Sequence, residues 1–261
     1  MKSMIPSLFD SNSHPTVGGG WSKKRLDSTF EKLDRELAKH RYRGACAVGI
    51  WGLENYGHEA FINRCRKYPD LIPIAGYFPV DLRKIDRDLA AIKKMGFRGI
   101  KIHPKEPMIR LRDPRMAKAF KTAAKLQLPI FLCTYQHSLL KTYPVSDPFF
   151  DIVALLRSAP EARVVLVHGG DVDLLRYAEL VRFNPNLLLD LSQTFMKYRS
   201  SSVDLDIRFL FERFDERICI GTDFPEYTHK EVKEQFARMS RGIFLKKLEN
   251  IAFGNIGRFL R

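Results

Sequence analysis

No stretch of the chain approaches the ~18 uninterrupted apolar residues that a membrane-spanning helix needs, so an integral helical membrane protein is not expected. No CxxC pair occurs among the four scattered cysteines, Cys46, Cys65, Cys133 and Cys219. That argues against a disulfide framework and for a reduced, cytoplasmic setting. The N-terminal residues Met1-Lys2-Ser3-Met4-Ile5-Pro6 run into a strand-like segment without an apolar h-region, so no secretory signal is read. GxGxxG and GxxxxGK[ST] are both absent after any strand-like run, which removes the common dinucleotide and P-loop signatures. Helix-turn-helix, zinc-finger and RNP patterns are missing as well. Acidic residues are in deficit, 30 Asp+Glu against 44 Lys+Arg, for a formal net charge of +14. An excess of this size favours acidic partners. Its members are dispersed, however, in groups such as Lys23-Lys24-Arg25, Lys93-Lys94, Arg110/Arg112/Arg115 and Lys246-Lys247, which read as solvated faces. A small anionic molecule is therefore a better expectation than nucleic acid.

What the chain does contain is regular. Eight short, largely apolar runs recur: 7–10, 44–51, 71–80, 97–103, 128–134, 163–168, 186–191 and 217–222. Continuous apolarity, as in VVLVH and LLLDL, is what a strand buried on both faces requires, and it points to a parallel sheet. Helical patterns fill the intervals. Leu82, Ile85, Leu89, Ile92 and Met95 share one helix face, closed by Gly96. Asp113-Pro114 and Asp147-Pro148 each read as an N-cap followed by Pro at the first helical position, and Asp171 opens a helix over 174–181. Strand–helix pairs recurring roughly every 30 residues predict a (β/α)8 TIM barrel as a single domain over 1–261, with an open doubly wound sheet as the alternative.

In a barrel, chemistry gathers where the strands end. The chain places Asp10, Asn12 and His14 at the end of the first run, Lys101 and His103 at the fourth and Cys133 at the fifth, with His137 beyond it. His168 ends the sixth, Asp190 the seventh and Asp223 the eighth. Asn12 and His14, two apart, point to one face, as do Lys101 and His103, which together could hold an anionic group of a substrate. Asp10 reads as a structural carboxylate, and His40, His58 and His229 as helix or loop residues of no special role. Trp21, Trp51, Tyr135 and Phe224 are expected near the mouth. The Gly-rich loop 15–24 is a mobile lid or a plain connection.

The segments FDSNSHP, GIKIHP, VVLVHGG, LLLDLS, ICIGTDFP and ENIAFGNIGRFL, in that order, resemble the amidohydrolase-related family of the amidohydrolase superfamily. The resemblance implies a (β/α)8 hydrolase or decarboxylase with one divalent metal, usually zinc. Such a metal is held by a His-x-His on strand 1, a His on strand 5, often a His on strand 6, and an Asp on strand 8. Carried across, the ligands are His14, Cys133, His168 and Asp223, with Asn12 standing where the first His would be and Cys133 where the strand 5 His would be.

That set implies a zinc-dependent hydrolase cleaving an amide or lactone bond of a small, anionic metabolite. Asp223 would be general base and His168 a ligand or carbonyl polariser, with Lys101, His103 and Asn12 binding substrate. The two replaced ligands leave three states open: an altered zinc site using Cys133, a metal-free lactonase-type hydrolase or decarboxylase, and a non-catalytic barrel that binds an anionic partner through its basic surface.

Overall fold

The computed structural model describes residues 5–21, 26–53, 56–104, 109–135 and 147–261. Eight strands follow one another around a single sheet: β1 (Asp10–Ser13), β2 (Ala45–Val48), β3 (Leu71–Gly76), β4 (Ile100–Ile102), β5 (Ile130–Cys133), β6 (Val164–Val167), β7 (Leu187–Asp190) and β8 (Ile218–Cys219). Each pairs in parallel with the next in sequence order. The seam between β8 and β1 is closed by backbone bonds from Ser11 N to Ile220 O (3.1 Å), Asp223 N to Asn12 O (2.9 Å) and His14 N to Phe224 O (2.9 Å). Gly221 makes this approach possible, because a Cβ there would lie 2.8 Å from Asn12 N. The result is the single-domain (β/α)8 barrel that the sequence predicts.

The connecting helices are α1 (Phe30–His40), α2 (His58–Cys65), α3 (Ile85–Met95), α4 (Pro114–Lys125), α5 (Pro148–Ser158), α6 (Leu174–Arg182), α7 (Thr194–Lys197), α8 (Ser202–Arg213) and α9 (His229–Met239). A closing run completes the chain: α10 (Leu245–Glu249), a π turn (Asn250–Gly254) and α11 (Asn255–Phe259). No described helix is long and apolar enough to cross a membrane. The Asp-Pro signals do what their chemistry requires: Asp113 accepts from Arg115 N and Asp147 from Phe149 N, each 2.9 Å, with Pro at the first helical turn. Thr228 and Glu231 form a reciprocal capping box on α9.

Two local expectations are corrected. β1 is Asp10–Ser13, not residues 7–10; its four residues are polar yet all buried, so apolarity could not locate it. Asp171 does not open α6, whose N-cap is Asp173; it is itself buried, with φ 60°, and meets Lys197 Nζ at 3.0 Å.

Inward-facing residues fill the barrel in layers. Cys46, Val48, Ile74, Phe131, Val165, Val167, Leu188 and Cys219 pack together, with Ile256 and Leu260 of the closing run sealing one end. A second cluster lies between strands and helices. Each fully buried side chain of Leu or Phe size contributes roughly 1.5–3 kcal/mol, and this apolar mass fixes the lower layers. Going two residues further along several strands exchanges apolar for polar: Phe131 leads to Cys133, and Leu188 to Asp190.

Asp10 holds the seam. Its carboxylate accepts from Thr222 N (2.9 Å), Thr222 Oγ1 (2.5 Å) and Ser13 Oγ (2.6 Å), all fully buried. Asp10→Ala would strand those donors and is expected to destabilise the fold by about 3–5 kcal/mol in urea unfolding, whereas Asp113→Ala at an ordinary helix cap costs about 1 kcal/mol. Equal losses would overturn this assignment of the seam.

Candidate active site

A cavity of about 210 Å³ opens at the C-terminal ends of the strands, lined by His14, Lys101, His103, Cys133, His168 and Asp223, together with Trp21, Ile50, Tyr135, Gln193 and Glu226. Six of the seven residues proposed from sequence thus share one cavity. The seventh, Asn12, lies fully buried behind Asp223, to whose Oδ1 its Nδ2 donates at 2.8 Å. His14 Nε2 stands 3.3 Å from the same oxygen, and its Nδ1 donates to Val48 O at 2.9 Å. Both ring nitrogens therefore face acceptors. His137 lies outside the described residues.

The loops carrying these groups are held in unusual backbone. His168, Gln193 and Asp223 have φ of 70°, 63° and 55°, conformations that cost a non-glycine residue about 1–3 kcal/mol each. The strain is fixed by surrounding bonds. Asp190 accepts from Ser11 Oγ, Ser192 Oγ and Ser192 N (3.1 Å), and His168 Nδ1 donates to Ser192 O at 2.9 Å. Thr194 Oγ1 donates to His168 O at 2.7 Å.

The electrostatics reflect burial set against close charges. Burial opposes ionisation of Asp223, but the charge of His168, the hydrogen bond and charge of His14, and Lys101 outweigh it and hold the carboxyl well below its usual range. Burial disfavours the His168 imidazolium too; the Asp223 carboxylate and the hydrogen-bonded Cys133 sulfur overcome burial and raise it to about 9. For Cys133, burial again opposes charge, while the charges and hydrogen bonds of His103 and His168 bring its thiol well below the ordinary value. Lys101 is shifted down by burial, against the pull of Cys133, Asp223 and Asp190. The residue is 2% exposed and its Nζ has no hydrogen-bond partner among the described residues; His103 Nδ1 is likewise unpartnered.

Several contributors carry no signal in the sequence. His229, set aside there, is fully buried with Nε2 3.0 Å from Asp10 Oδ2, though without hydrogen-bond alignment. Ser11 and Ser192 support Asp190, and Glu226 accepts from Trp21 Nε1 at 2.8 Å while Trp21 stacks on His14 at 5.3 Å. Nothing local marks such residues; only the barrel's closure brings them together. Of the four aromatics expected near the mouth, Trp21 and Tyr135 line the cavity. Phe224 is buried in the core, and Trp51 lies against His58.

The expected metal ligands lie around this cavity, but they do not fit a bound cation. No three His, Cys, Asp or Glu side chains converge closely enough to enclose one among the described residues. The donors also satisfy one another: Asp223 Oδ1 takes an amide and an imidazole nitrogen, and the Cys133 sulfur takes both His103 and His168. A metal site needs lone pairs directed at one point instead.

This arrangement predicts a thiolate at neutral pH. Ultraviolet difference spectra at pH 7 should contain one thiolate band that Cys133→Ala removes, since His103 and His168 bring the thiol well below its ordinary value. A spectrum unchanged by the substitution would refute the pairing.

Comparison with known proteins agrees with the fold. Solved structures match along almost the whole chain. An uncharacterised TIM-barrel protein from Bordetella bronchiseptica aligns with TM-score 0.79 and 18% identity over 98% of both chains. A probable 2-pyrone-4,6-dicarboxylic acid hydrolase from Acinetobacter baumannii, solved with citric acid bound, aligns with TM-score 0.71 and 18% identity over 98% of this chain and 99% of that one. An amidohydrolase from Burkholderia multivorans with bound zinc aligns with TM-score 0.71 and 15% identity over the same shares. At these identities the likeness establishes the fold. No curated protein matches the chain in sequence. The amidohydrolase family profile, however, matches residues 56–241, well over half of the sequence and the whole of every strand from β3 to β8; the chain belongs to the amidohydrolase family.

Proposed function

We propose that the protein is a metal-independent hydrolase that opens a small, carboxylate-bearing lactone or ester with water activated by Asp223. The observation that carries this reading is that Asp223, its carboxyl held well below the usual range, and His168, raised to about 9, line one small cavity at the barrel mouth. Asn12 and His14 both meet Asp223 Oδ1, so Oδ2 is the oxygen left to take a proton from water. His168, fixed through Nδ1 on Ser192 O, turns Nε2 to the cavity and supplies the proton that the departing alkoxide needs. Lys101, a buried cation without a hydrogen-bond partner among the described residues, suits either a substrate carboxylate or the oxyanion that forms at the carbonyl. The cavity of about 210 Å³ is many times the roughly 10–15 Å³ of such space that one water needs, which leaves room for a small metabolite. The structural neighbour named for 2-pyrone-4,6-dicarboxylic acid supports the same class, since a pyrone is a cyclic ester and its named substrate carries two carboxylates.

The test is hydrolysis of a panel of five- and six-membered lactone carboxylates beside their neutral esters. Turnover of the acids is expected, unchanged by chelator, and lowered about 10²–10⁴-fold by Asp223→Asn. Loss of activity on chelation with recovery on adding zinc would restore the metal-dependent reading. Tight binding of the panel without turnover would leave a non-catalytic barrel.

The pH dependence has a fixed sign. His168 acts in its charged form and titrates at about 9, so kcat/KM should hold across neutral pH and fall as pH rises through about 9. A profile falling through the ordinary histidine range instead would remove His168 as the acid.

A further inference from the structure

Four cysteines occur in the chain, all buried, and three of them lie away from the cavity at the barrel mouth. Cys46 and Cys219 lie in the barrel core, where burial and nearby carboxylates push their thiols up; burial pushes Cys65 up to about 12. Cys133 differs in place and in company. It faces inward at the end of β5, two residues above the core residue Phe131, and lines the cavity. The strands on either side of β5 each bring an imidazole to its sulfur: His103 follows β4 and His168 follows β6. A cysteine alone would prove nothing. The same cavity, however, is lined by Lys101, whose Nζ is fully buried and unpartnered among the described residues, and by His103 with its unpartnered Nδ1. A buried cation left without a hydrogen-bonded anion is costly unless a ligand completes it.

We propose that Cys133 is a nucleophile that carries the substrate's acyl group as a thioester, with Lys101 holding the anionic oxygen beside it. This rests on reading the site as a hydrolase of carboxylate-bearing esters and adds a covalent step to it. The Cys133 sulfur forms a bond to the carbonyl carbon, and the electron pair moved onto oxygen faces Lys101. As that oxyanion collapses, the C–O bond to the alcohol breaks, and the departing alkoxide takes the proton from His168 Nε2. A water then enters, gives one proton to Asp223 and attacks the thioester carbon. The C–S bond breaks, the thiolate returns, and the proton held by Asp223 is passed back to His168. The sum is ester plus water giving acid plus alcohol, with no outside oxidant or reductant. For a lactone the alcohol stays tethered to the acyl group until the second step.

The test needs no knowledge of the natural substrate. Full-length protein is treated separately with iodoacetate and iodoacetamide, and the labelled cysteine is identified by peptide mass mapping. An ordinary thiolate reacts faster with neutral iodoacetamide. Cys133 is expected to react about tenfold or more faster with iodoacetate, because Lys101 draws the carboxylate into the cavity. Lys101→Met should abolish that preference, and Lys101→Arg should keep part of it. Labelling confined to other cysteines, or preference for iodoacetamide in the wild type, overturns the proposal without reference to any variant.

A second measurement separates this step from the reading it rests on. With any hydrolysed panel member, acid-quenched protein should carry the acyl mass on the Cys133 peptide. Cys133→Ala that hydrolyses at the wild-type rate overturns the nucleophile and leaves the hydrolase standing. Iodoacetate selectivity without hydrolysis of any panel member, by contrast, sustains the Cys133–Lys101 pair and overturns the hydrolase reading.

Discussion

Two fully buried carboxylates, Asp10 on β1 and Asp190 on β7, organise the catalytic end of the barrel. β8 lies between them and is only two residues long, so its backbone ladder is too short to fix the loop that leaves it. Hydroxyls and amides supply what the ladder lacks. Thr222 bonds to Asp10 through both its backbone N and its side chain, while Ser11 and Ser192 converge on Asp190. Burying a carboxylate is expensive, and several charge-assisted hydrogen bonds to each one offset that cost. Because both acids are saturated by neighbours, their negative charge is spent on position. Asp223 comes directly after Thr222 and inherits its place from this wiring, as His168 does from Ser192 and Thr194.

The same wiring marks the limit of what the sequence can reveal. Seven of the strands announce themselves by apolar runs because both of their faces are buried, and the Asp-Pro caps announce α4 and α5 because a cap is a contact between near neighbours. The strand-end residues of the site are legible because the barrel's repeat assigns them a common end. β1 escapes because its sequence, DSNS, is polar and buried at once, a combination that only partners elsewhere can explain. Asp10 and Thr222 are 212 positions apart, and Ser11 and Asp190 are 179 apart. No periodicity spans such distances. His229 and Glu226 likewise gain their surroundings only when the loop after β8 folds back over the barrel end.

The net charge of +14 resolves along similar lines. Many basic side chains lie at the surface in short-range pairs, such as Arg182 with Glu179, Arg208 with Glu212 and Lys118 with Asp86. Exposed pairs of this kind contribute at most about 1 kcal/mol each and impose little on partner choice. Lys101 is different in kind. It is a cation inside the barrel with no hydrogen bond to share among the described residues, so one buried charge says more about the ligand than the whole surface excess does.

The exchanges at Asn12 and Cys133 make sense together. An imidazole at position 12 could offer a lone pair toward the cavity, whereas the amide offers a donor, and that donor meets Asp223. Asp223 is thereby oriented as a proton acceptor. A second imidazole at position 133 would be neutral or cationic; the cysteine brings an anion that Lys101 and His168 offset. With Cys133 and Asp223 both ionised, two negative charges stand among Lys101, His168 and the imidazoles of His14 and His103. Acylation of the sulfur cancels one negative charge, and release of the alkoxide's proton from His168 cancels one positive charge. Lys101 is then still beside the acyl oxygen, and Asp223 is free to accept a proton from water. Acylation thus leaves the net charge of the site's own residues unchanged, so no counterion has to enter for the step to proceed.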